Sequence, residues 1–209
     1  MDRLHFEKQL WSEGYTRIMG LDEVGRGCLS GPVVAAGVIL KPKSRIEGVK
    51  DSKQLILSER EDLEKIIKDT AAYWTIQWCE PTVIDEINIL QASLKAMHEC
   101  TAQAKAKPDY LLVDGNRYSG SLYPHTCLVG GDDRSVSIAA ASILAKVYRD
   151  RFMKKLHQDF PHYGWDTNVG YPTRQHFAGL KEYGITQHHR KSFNLRTHKE
   201  YCGKDSANQ

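Results

Sequence analysis

The sequence predicts an α/β fold, in which strands and helices alternate along a chain of 209 residues. The apolar run at 33–40, which contains Val, Ile and Gly and no charge, is typical of a buried central strand. A short apolar segment at 110–113 predicts a second buried strand, and an Ala-rich stretch at 135–157 predicts a long helix. Strands that alternate with helices after an opening pair of neighbouring strands fit a layered α/β domain.

Turn residues and hydrophobic spacing predict the other elements. We expect a short helix or arm in 1–16, and a strand at about 17–23 precedes the apolar run. Ser58 and Glu61 form a capping-box pattern, which predicts a helix that runs to about residue 70. The remaining predictions are a strand at 71–79, helical sequence from Pro81 that Pro108 stops, a short strand at 126–129, a loop at 160–172 and a helix at 173–183.

The composition is that of an ordinary globular protein, with 41% hydrophobic and 26% charged residues. We expect a single domain over 1–196 and a polar C-terminal tail over 197–209 that frays. The net charge of +3 is a mild indication of an anionic partner. Five cysteines without a CxxC pair indicate reduced thiols. Because neither a secretion signal nor a bilayer-spanning run is evident, we expect a cytoplasmic protein that does not contact membranes.

Two adjacent acids, Asp22 and Glu23, close the first predicted strand. Burial disfavours their charged forms and mutual repulsion adds to that effect, so a positive group is needed nearby. A divalent cation such as Mg²⁺ or Mn²⁺ is the simplest candidate, because these ions prefer carboxylate oxygens. Neighbouring strand residues point to opposite faces, so a twist, a bulge or a backbone carbonyl ligand is required for a shared site. The alternative is an ordinary hairpin turn in which Asp22 is a turn residue.

Gly25 and Gly27 follow these acids and allow positive φ or the close approach of another backbone. No Gly-Lys-Ser/Thr follows them, so they do not form a Walker loop. The spacing of Gly25, Gly27 and Gly31 also differs from the dinucleotide-binding fingerprint.

Further acids follow other predicted strands. Asp114 ends the strand at 110–113, and the pair Asp132 and Asp133 precedes the Ala-rich helix. Strand ends in α/β sheets are where catalytic sites gather, and phosphodiester hydrolysis by two metal ions needs several carboxylates. The alternatives are a turn aspartate at Asp114 and a helix cap at Asp133 or Ser135.

A series of motifs resembles the ribonuclease HII family, the type 2 ribonucleases H. The matching segments, in family order, are DEVGRG (22–27), SGPVVAA (30–36), DSK (51–53), LLVDGN (111–116), GGD (130–132), SIAAASILAKVYRDRFM (137–153), GYPT (170–173) and HRKSF (189–193). The resemblance covers residues 17 to 193 and implies a ribonuclease H-like fold. That fold has a central mixed β-sheet flanked by helices and a helical C-terminal part.

The resemblance also implies a function. The protein would hydrolyse the RNA strand of RNA–DNA hybrids and cut 5′ of single ribonucleotides in duplex DNA, leaving 3′-hydroxyl and 5′-phosphate ends. Asp22, Glu23, Asp114 and Asp132 would hold Mn²⁺ or Mg²⁺, two ions per site. Its tasks would be ribonucleotide excision and primer processing in DNA replication. No protein partner and no clamp-binding peptide in the tail are evident, and we expect a monomer.

Several residues are candidate contacts to the nucleic acid. Ser142, Lys146 and Arg149 share one face of the long helix, as a phosphate-binding edge or as a solvated face. The resemblance adds Lys53 of the DSK motif and Arg190 of HRKSF.

The resemblance assigns recognition of the RNA-to-DNA junction to two loops. Backbone groups of Gly25, Arg26 and Gly27 would bond the 2′-hydroxyl of the ribonucleotide, and Tyr171 would stack on the following deoxyribose. The alternative for Tyr171 is a packed side chain in a glycine–proline loop. His188 and His189 lack a second ligand pair, and we expect them at the surface or facing nucleic acid.

Two other functions remain open from the sequence. One is a different ribonuclease H-like nuclease, such as a resolvase or a type 1 ribonuclease H. The loop Gly25-Arg26-Gly27 and Tyr171 argue against it. The other is a nucleic-acid binder without activity, which the presence of all four acids argues against.

Overall fold

A computed structural model describes residues 3–42, 46, 48 and 56–195 of the chain. Its core is a sheet of five strands in the order β3-β2-β1-β4-β5. The strands are β1 (Ile18–Val24), β2 (Val33–Ile39), β3 (Tyr73–Cys79), β4 (Tyr110–Asp114) and β5 (His125–Leu128). β1 pairs antiparallel with β2 and parallel with β4, so the predicted mixed sheet is confirmed.

Helices flank this sheet and form the C-terminal part, as predicted. They are α1 (His5–Ser12), α2 (Leu57–Thr70), α3 (Pro81–Ile87), α4 (Ile89–Ala102), α5 (Gly131–Arg134), α6 (Val136–Asp159), α7 (Trp165–Asn168) and α8 (Arg174–Tyr183), with a 3₁₀ turn at Pro161–Tyr163. None of the helices in the described ranges is long and apolar enough to cross a membrane. The predicted tail at 197–209 lies outside the described residues.

Three local predictions need correction. The helix predicted to follow Pro81 is divided at Asn88, which has a φ of 66° and caps α4 by accepting N–H groups from Leu90 and Gln91. The helix α2 starts one residue before Ser58, and its first turn is capped instead by the Glu59 carboxylate, which accepts the N–H of Ile56. The loop predicted at 160–172 contains the 3₁₀ turn and α7.

The long helix α6 lies directly against β1 and β2, where the Ala-rich sequence permits a close approach. A Cβ atom on Gly20 of β1 would lie 2.2 Å from the backbone carbon of Ser137 and 2.4 Å from the nitrogen of Ile138. Gly20 therefore determines how closely the helix packs on the sheet, because nothing larger fits. The opposite face of the sheet is covered by α4, with Met97 and Cys100 in its core.

The C-terminal part adds a separate apolar cluster around Trp165, which includes Met153, Tyr163 and Phe177. It contacts the loop between β1 and β2 through the N–H of Leu29, which donates to the carbonyl of Gly170 at 2.8 Å. The loop at 25–32, called the glycine loop below because it contains Gly25, Gly27 and Gly31, is thereby held between the sheet and the C-terminal helices.

We predict that Gly20→Ala lowers the free energy of unfolding by about 1–3 kcal/mol, because an overpacked methyl group meets helix backbone that cannot rotate away. Gly27→Ala is the matched control. Its Cβ would lie 3.8 Å from the Tyr171 ring, an ordinary contact, and stability should change by less than about 0.5 kcal/mol. Urea unfolding of both variants measures the difference, and equal losses would show that the close approach is unimportant.

Candidate active site

The four predicted carboxylates line one cleft of about 550 Å³ at the carboxyl ends of the inner strands β1 and β4. The cleft is lined by Asp22, Glu23, Val24, Arg60, Asp114, Asp132, Ser142, Lys146 and Tyr171. Residues from β1, β4, α2, α5, α6 and the segment before α8 therefore meet at one place. Lys53 cannot be placed relative to the cleft, because it lies outside the described residues.

Strand register explains how the acids come together. β1 and β4 run parallel with Leu21 opposite Val113, so Asp22 and Asp114 emerge next to each other at the same strand end. β4 also runs parallel to β5, and α5 begins three residues after β5 and carries Asp132. The β1–β2 ladder is continuous from Met19 to Val24, so Asp22 and Glu23 both reach the cleft without a bulge between these two strands.

Burial and repulsion make this cluster electrostatically unfavourable. Burial raises the pKa of Asp22 well above its usual value, and the charges of Glu23, Asp114 and Asp132 raise it further. A hydrogen bond from the Ser142 hydroxyl partly offsets these effects on the Asp22 pKa. Burial also raises the pKa of Glu23, against the attraction of Arg26, whose Nη1 lies 3.1 Å from Glu23 Oε1.

Backbone donors fix two of the carboxylates. Asp22 Oδ1 accepts the N–H of Glu23 at 2.7 Å, and Asp114 Oδ1 accepts the N–H of Gly131 at 2.7 Å. Within the described ranges, no three acidic, His or Cys side chains are close enough together to form a ready-made metal-ligand group. The donor set nevertheless fits hard divalent ions, because it consists of carboxylate oxygens whose mutual repulsion a cation would relieve.

Two basic side chains, Lys146 and Arg60, also line the cleft. Lys146 Nζ lies 2.8 Å from Asp150 Oδ1, and Arg60 Nη2 lies 3.9 Å from Asp150 Oδ2. Asp150 thus holds both side chains at the cleft wall. Sequence reasoning missed Arg60, because it lies among alternating acids and bases that are typical of a solvated helix face.

Tyr171 lies at the cleft with 40% of its surface exposed, next to the glycine loop. Its carbonyl accepts hydrogen bonds from the Thr173 N–H at 2.8 Å and from His176 Nδ1 at 2.9 Å. Gly25 has the predicted positive φ, at 95°, whereas Gly27 does not. Gly27 instead leaves open the space in front of the Tyr171 ring.

The predicted phosphate contact of Arg149 is wrong. Its side chain is fully buried and donates hydrogen bonds to the carbonyls of Pro32 at 2.9 Å, Val169 at 2.7 Å and Ser30 at 3.0 Å. Arg149 does share a helix face with Ser142 and Lys146, but the β1–β2 loop and the segment before Gly170 cover that face at this point.

The predicted phosphate contact of Arg190 is wrong for the same reason. Its fully buried guanidinium donates to the carbonyl of Gly31 at 2.9 and 3.0 Å and to that of Arg26 at 3.0 Å. Burial lowers the pKa of Arg190 to about 10. Both arginines therefore stabilise the glycine loop through hydrogen bonds to its backbone carbonyls and do not face the cleft.

His189 is also buried, against the expectation of a surface position. Its Nε2 lies 3.2 Å from Nε2 of His176, while its Nδ1 accepts the N–H of Thr186 at 3.0 Å. Burial lowers the pKa of His189 to about 4, so the ring is neutral at pH 7. Because His176 bonds the Tyr171 carbonyl, this pair of histidines supports the second loop of the cleft.

Comparisons with known proteins identify the family of this chain. The family model described as Ribonuclease HII matches residues 19–197. The Ribonuclease HII of Salinibacter ruber is 50% identical over 196 residues, which cover 92% of this chain and 98% of that protein. The Ribonuclease HII of Christiangramia forsetii is 50% identical over 179 residues, which cover 85% of this chain and 90% of that protein.

Solved structures show the same fold. The ribonuclease H2 from Pyrococcus horikoshii has 26% identity and a TM-score of 0.73, with 92% of this chain and 100% of that chain covered. The RNase HII of Archaeoglobus fulgidus, solved in a complex with PCNA, has 28% identity and a TM-score of 0.71, with 87% and 96% covered. A ribonuclease HIII solved with Mn²⁺ has 18% identity, a TM-score of 0.64 and coverage of 94% and 72%, and it shows the fold alone. Since the family model and the curated relatives span most of its length, the chain belongs to the ribonuclease HII family of hydrolytic endoribonucleases.

Proposed function

We propose that this enzyme hydrolyses the RNA strand of RNA–DNA hybrids and also cuts 5′ of a single ribonucleotide within duplex DNA. The products would carry 3′-hydroxyl and 5′-phosphate ends, and the monomer would serve ribonucleotide excision and primer processing. The observation that carries the proposal is the meeting of four carboxylates with Tyr171 and the glycine loop at one cleft. Acids suit hydrolysis, and the two loops suit recognition of one 2′-hydroxyl.

Asp22, Glu23, Asp114 and Asp132 would hold two divalent ions, Mn²⁺ or Mg²⁺. Such ions, when bound, supply charge stabilisation on the attacking and leaving oxygens and lower the pKa of water. The raised pKa of Asp22 supports this assignment, because burial and repulsion from the neighbouring acids disfavour its negative charge and an added cation would offset both effects. The Mn²⁺ complex of the ribonuclease HIII gives further support through a protein of the same fold.

The remaining cleft residues would bind and orient the nucleic acid. Lys146 and Arg60 line the cleft and would contact backbone phosphates, whereas Ser142, which was predicted to contact phosphate, would orient Asp22 through its hydrogen bond. The carbonyl of Arg26 is bonded to Arg190, so the N–H of Gly27 in the same trans peptide points the opposite way. This N–H is our candidate donor to the 2′-hydroxyl, beside the Tyr171 ring.

The direct test is cleavage of a labelled DNA duplex that contains one ribonucleotide, with and without Mg²⁺ or Mn²⁺. We expect metal-dependent cuts on its 5′ side. Cleavage of long hybrids without cleavage of this duplex would favour a type 1 ribonuclease H activity. Binding without any cleavage would favour a non-catalytic nucleic-acid binder.

Asp114→Asn is expected to lower the cleavage rate by about 10³-fold or more, since the isosteric amide loses the charge that would hold metal. Its oxygen still accepts the Gly131 N–H, so the fold should persist. Asp132→Asn should behave alike, whereas Asp62→Asn is the control, because Asp62 is an exposed acid that pairs with Lys65 and does not line the cleft. A rate near that of the unaltered enzyme for Asp114→Asn, at low millimolar Mg²⁺, would remove Asp114 from the metal site.

Lys146→Ala and Arg60→Ala are each expected to weaken hybrid binding and to reduce the slope of log K against log salt by about 1. The control is Lys95→Ala on α4, whose ammonium pairs with Glu99 away from the cleft. Binding measured at several salt concentrations checks this. Slopes that match Lys95→Ala would mean that neither cation contacts phosphate.

Tyr171→Ala is expected to slow cleavage at a single embedded ribonucleotide by about 10-fold or more, since base or sugar stacking contributes about 1–3 kcal/mol. Cleavage inside a long hybrid should slow less, because the next sugar there is a ribose that already crowds the ring. Tyr183→Ala is the control, an exposed tyrosine that stacks on His162. The measurement is the initial cleavage rate on both substrates under one metal condition. If both rates fall by the same factor, Tyr171 only packs within its loop and does not sense the junction.

A further inference from the structure

The N-terminal helix α1 contacts the segment that carries Asp132, although it precedes the residues matched by the family model. The centre of this contact is Glu7, which is only 1% exposed. Its Oε1 accepts hydrogen bonds from the hydroxyls of Ser135 and Ser137, both at 2.6 Å, and from the N–H of Ser137 at 3.0 Å. A buried carboxylate on one helix therefore caps the beginning of another.

This cap lies at a favourable place for a negative charge. The first N–H groups of a helix have no partner within it, and the helix dipole is positive there. Helix α6 is 24 residues long, and Ser135 is its N-cap residue. Ser135 Oγ accepts the N–H of Ile138 while it donates to Glu7, so Glu7 also fixes the orientation of the cap.

A series of hydrogen bonds, joined through the backbone of Ser135 and Gly131, runs from Glu7 to Asp114. The Ser135 hydroxyl bonds Glu7, and the Ser135 N–H donates to the carbonyl of Gly131 at 2.8 Å. The N–H of Gly131 donates to Asp114 Oδ1 at 2.7 Å, and Asp132 is the next residue in the chain. The turn that holds Asp132 is therefore tied to Asp114 on one side and to Glu7 on the other.

The turn has little room to adjust. A Cβ on Gly131 would lie 2.6 Å from Ile138 Cδ1 and 3.2 Å from Asp114 Oδ1. Helix α1 and the residues before it also contact the turn on either side of Ser135. The Arg3 guanidinium lies 3.1 Å from Asp133 Oδ1, and the Arg3 carbonyl accepts the Val136 N–H at 3.2 Å.

We propose that Glu7 is a positioning residue of the active site, acting through Ser135 and Gly131 to hold Asp132 and Asp114 at the spacing that the divalent ions require. This inference rests on the proposed function, because it takes both aspartates as metal ligands. Replacement of residues that orient metal ligands through hydrogen bonds typically lowers metal affinity or activity by about 10–100-fold.

The test measures Mn²⁺ binding to the metal-free protein by calorimetry, together with cleavage rates across a metal titration. We expect Glu7→Ala to need about 10-fold more Mn²⁺ both for binding and for half-maximal rate. The KM for the nucleic acid should stay nearly unchanged, because Lys146 and Arg60 are not involved. Glu7→Gln keeps an acceptor oxygen for the serine donors and should lose less of both.

The control is Met97→Ala, a core truncation on the opposite face of the sheet that destabilises the fold without contacting the turn. Both variants are compared at temperatures where each is folded, and Glu7→Gln provides the answer if Glu7→Ala does not fold. Mn²⁺ binding by the Glu7 variants that equals that of Met97→Ala would overturn the inference and leave Glu7 a stabilising cap. Absence of Mn²⁺ binding by the unaltered protein would overturn the proposed function and this inference with it.

Discussion

Hydrogen bonds from two buried guanidinium groups to backbone carbonyls are the interaction on which the glycine loop depends. Arg149 and Arg190 make six of them, and every acceptor is a main-chain oxygen in 26–32 or at Val169. Burying a charge without partners is strongly unfavourable, so the loop and the arginines stabilise each other. The arginines thereby hold the backbone of the loop in one conformation, in which several of its carbonyl groups point toward the two guanidinium groups.

The carboxylates of the cleft, in contrast, destabilise the fold locally. The parallel register of β1 and β4 brings Asp22 and Asp114 together, and repulsion between buried acids opposes this arrangement. Such local instability is common where function requires it, and it must be compensated elsewhere. Here the compensation includes the Ser142 hydroxyl, the Arg26 side chain and the backbone N–H of Gly131.

The sequence was informative where one physical rule dominates. A charge-free apolar run and an Ala-rich helix predicted β2 and α6, and strand ends predicted where Asp22 and Asp114 would lie. It was misleading for Arg149, since helical spacing gives the direction of a side chain but not what covers it. Arg60 was missed because it lies among alternating acids and bases, and because Asp150, which it approaches at the cleft, is far away in sequence. The division of α3 and α4 at Asn88 likewise depends on a side-chain cap within a sequence of high helix propensity.

These contacts explain how a site at the carboxyl ends of the central strands keeps its geometry. The sheet holds Asp22, Glu23 and Asp114, whereas the glycine loop pairs with the C-terminal segment through a single bridge between Ser30 and His189, and the turn with Asp132 lies outside the five strands. Each of these two segments is instead held by buried charged side chains from helices or loops distant in sequence, the arginines on one side and Glu7 on the other. Preorganised groups lose little conformational freedom when substrate and cations bind. Buried contacts that keep the cleft residues rigid therefore favour stabilisation of the transition state.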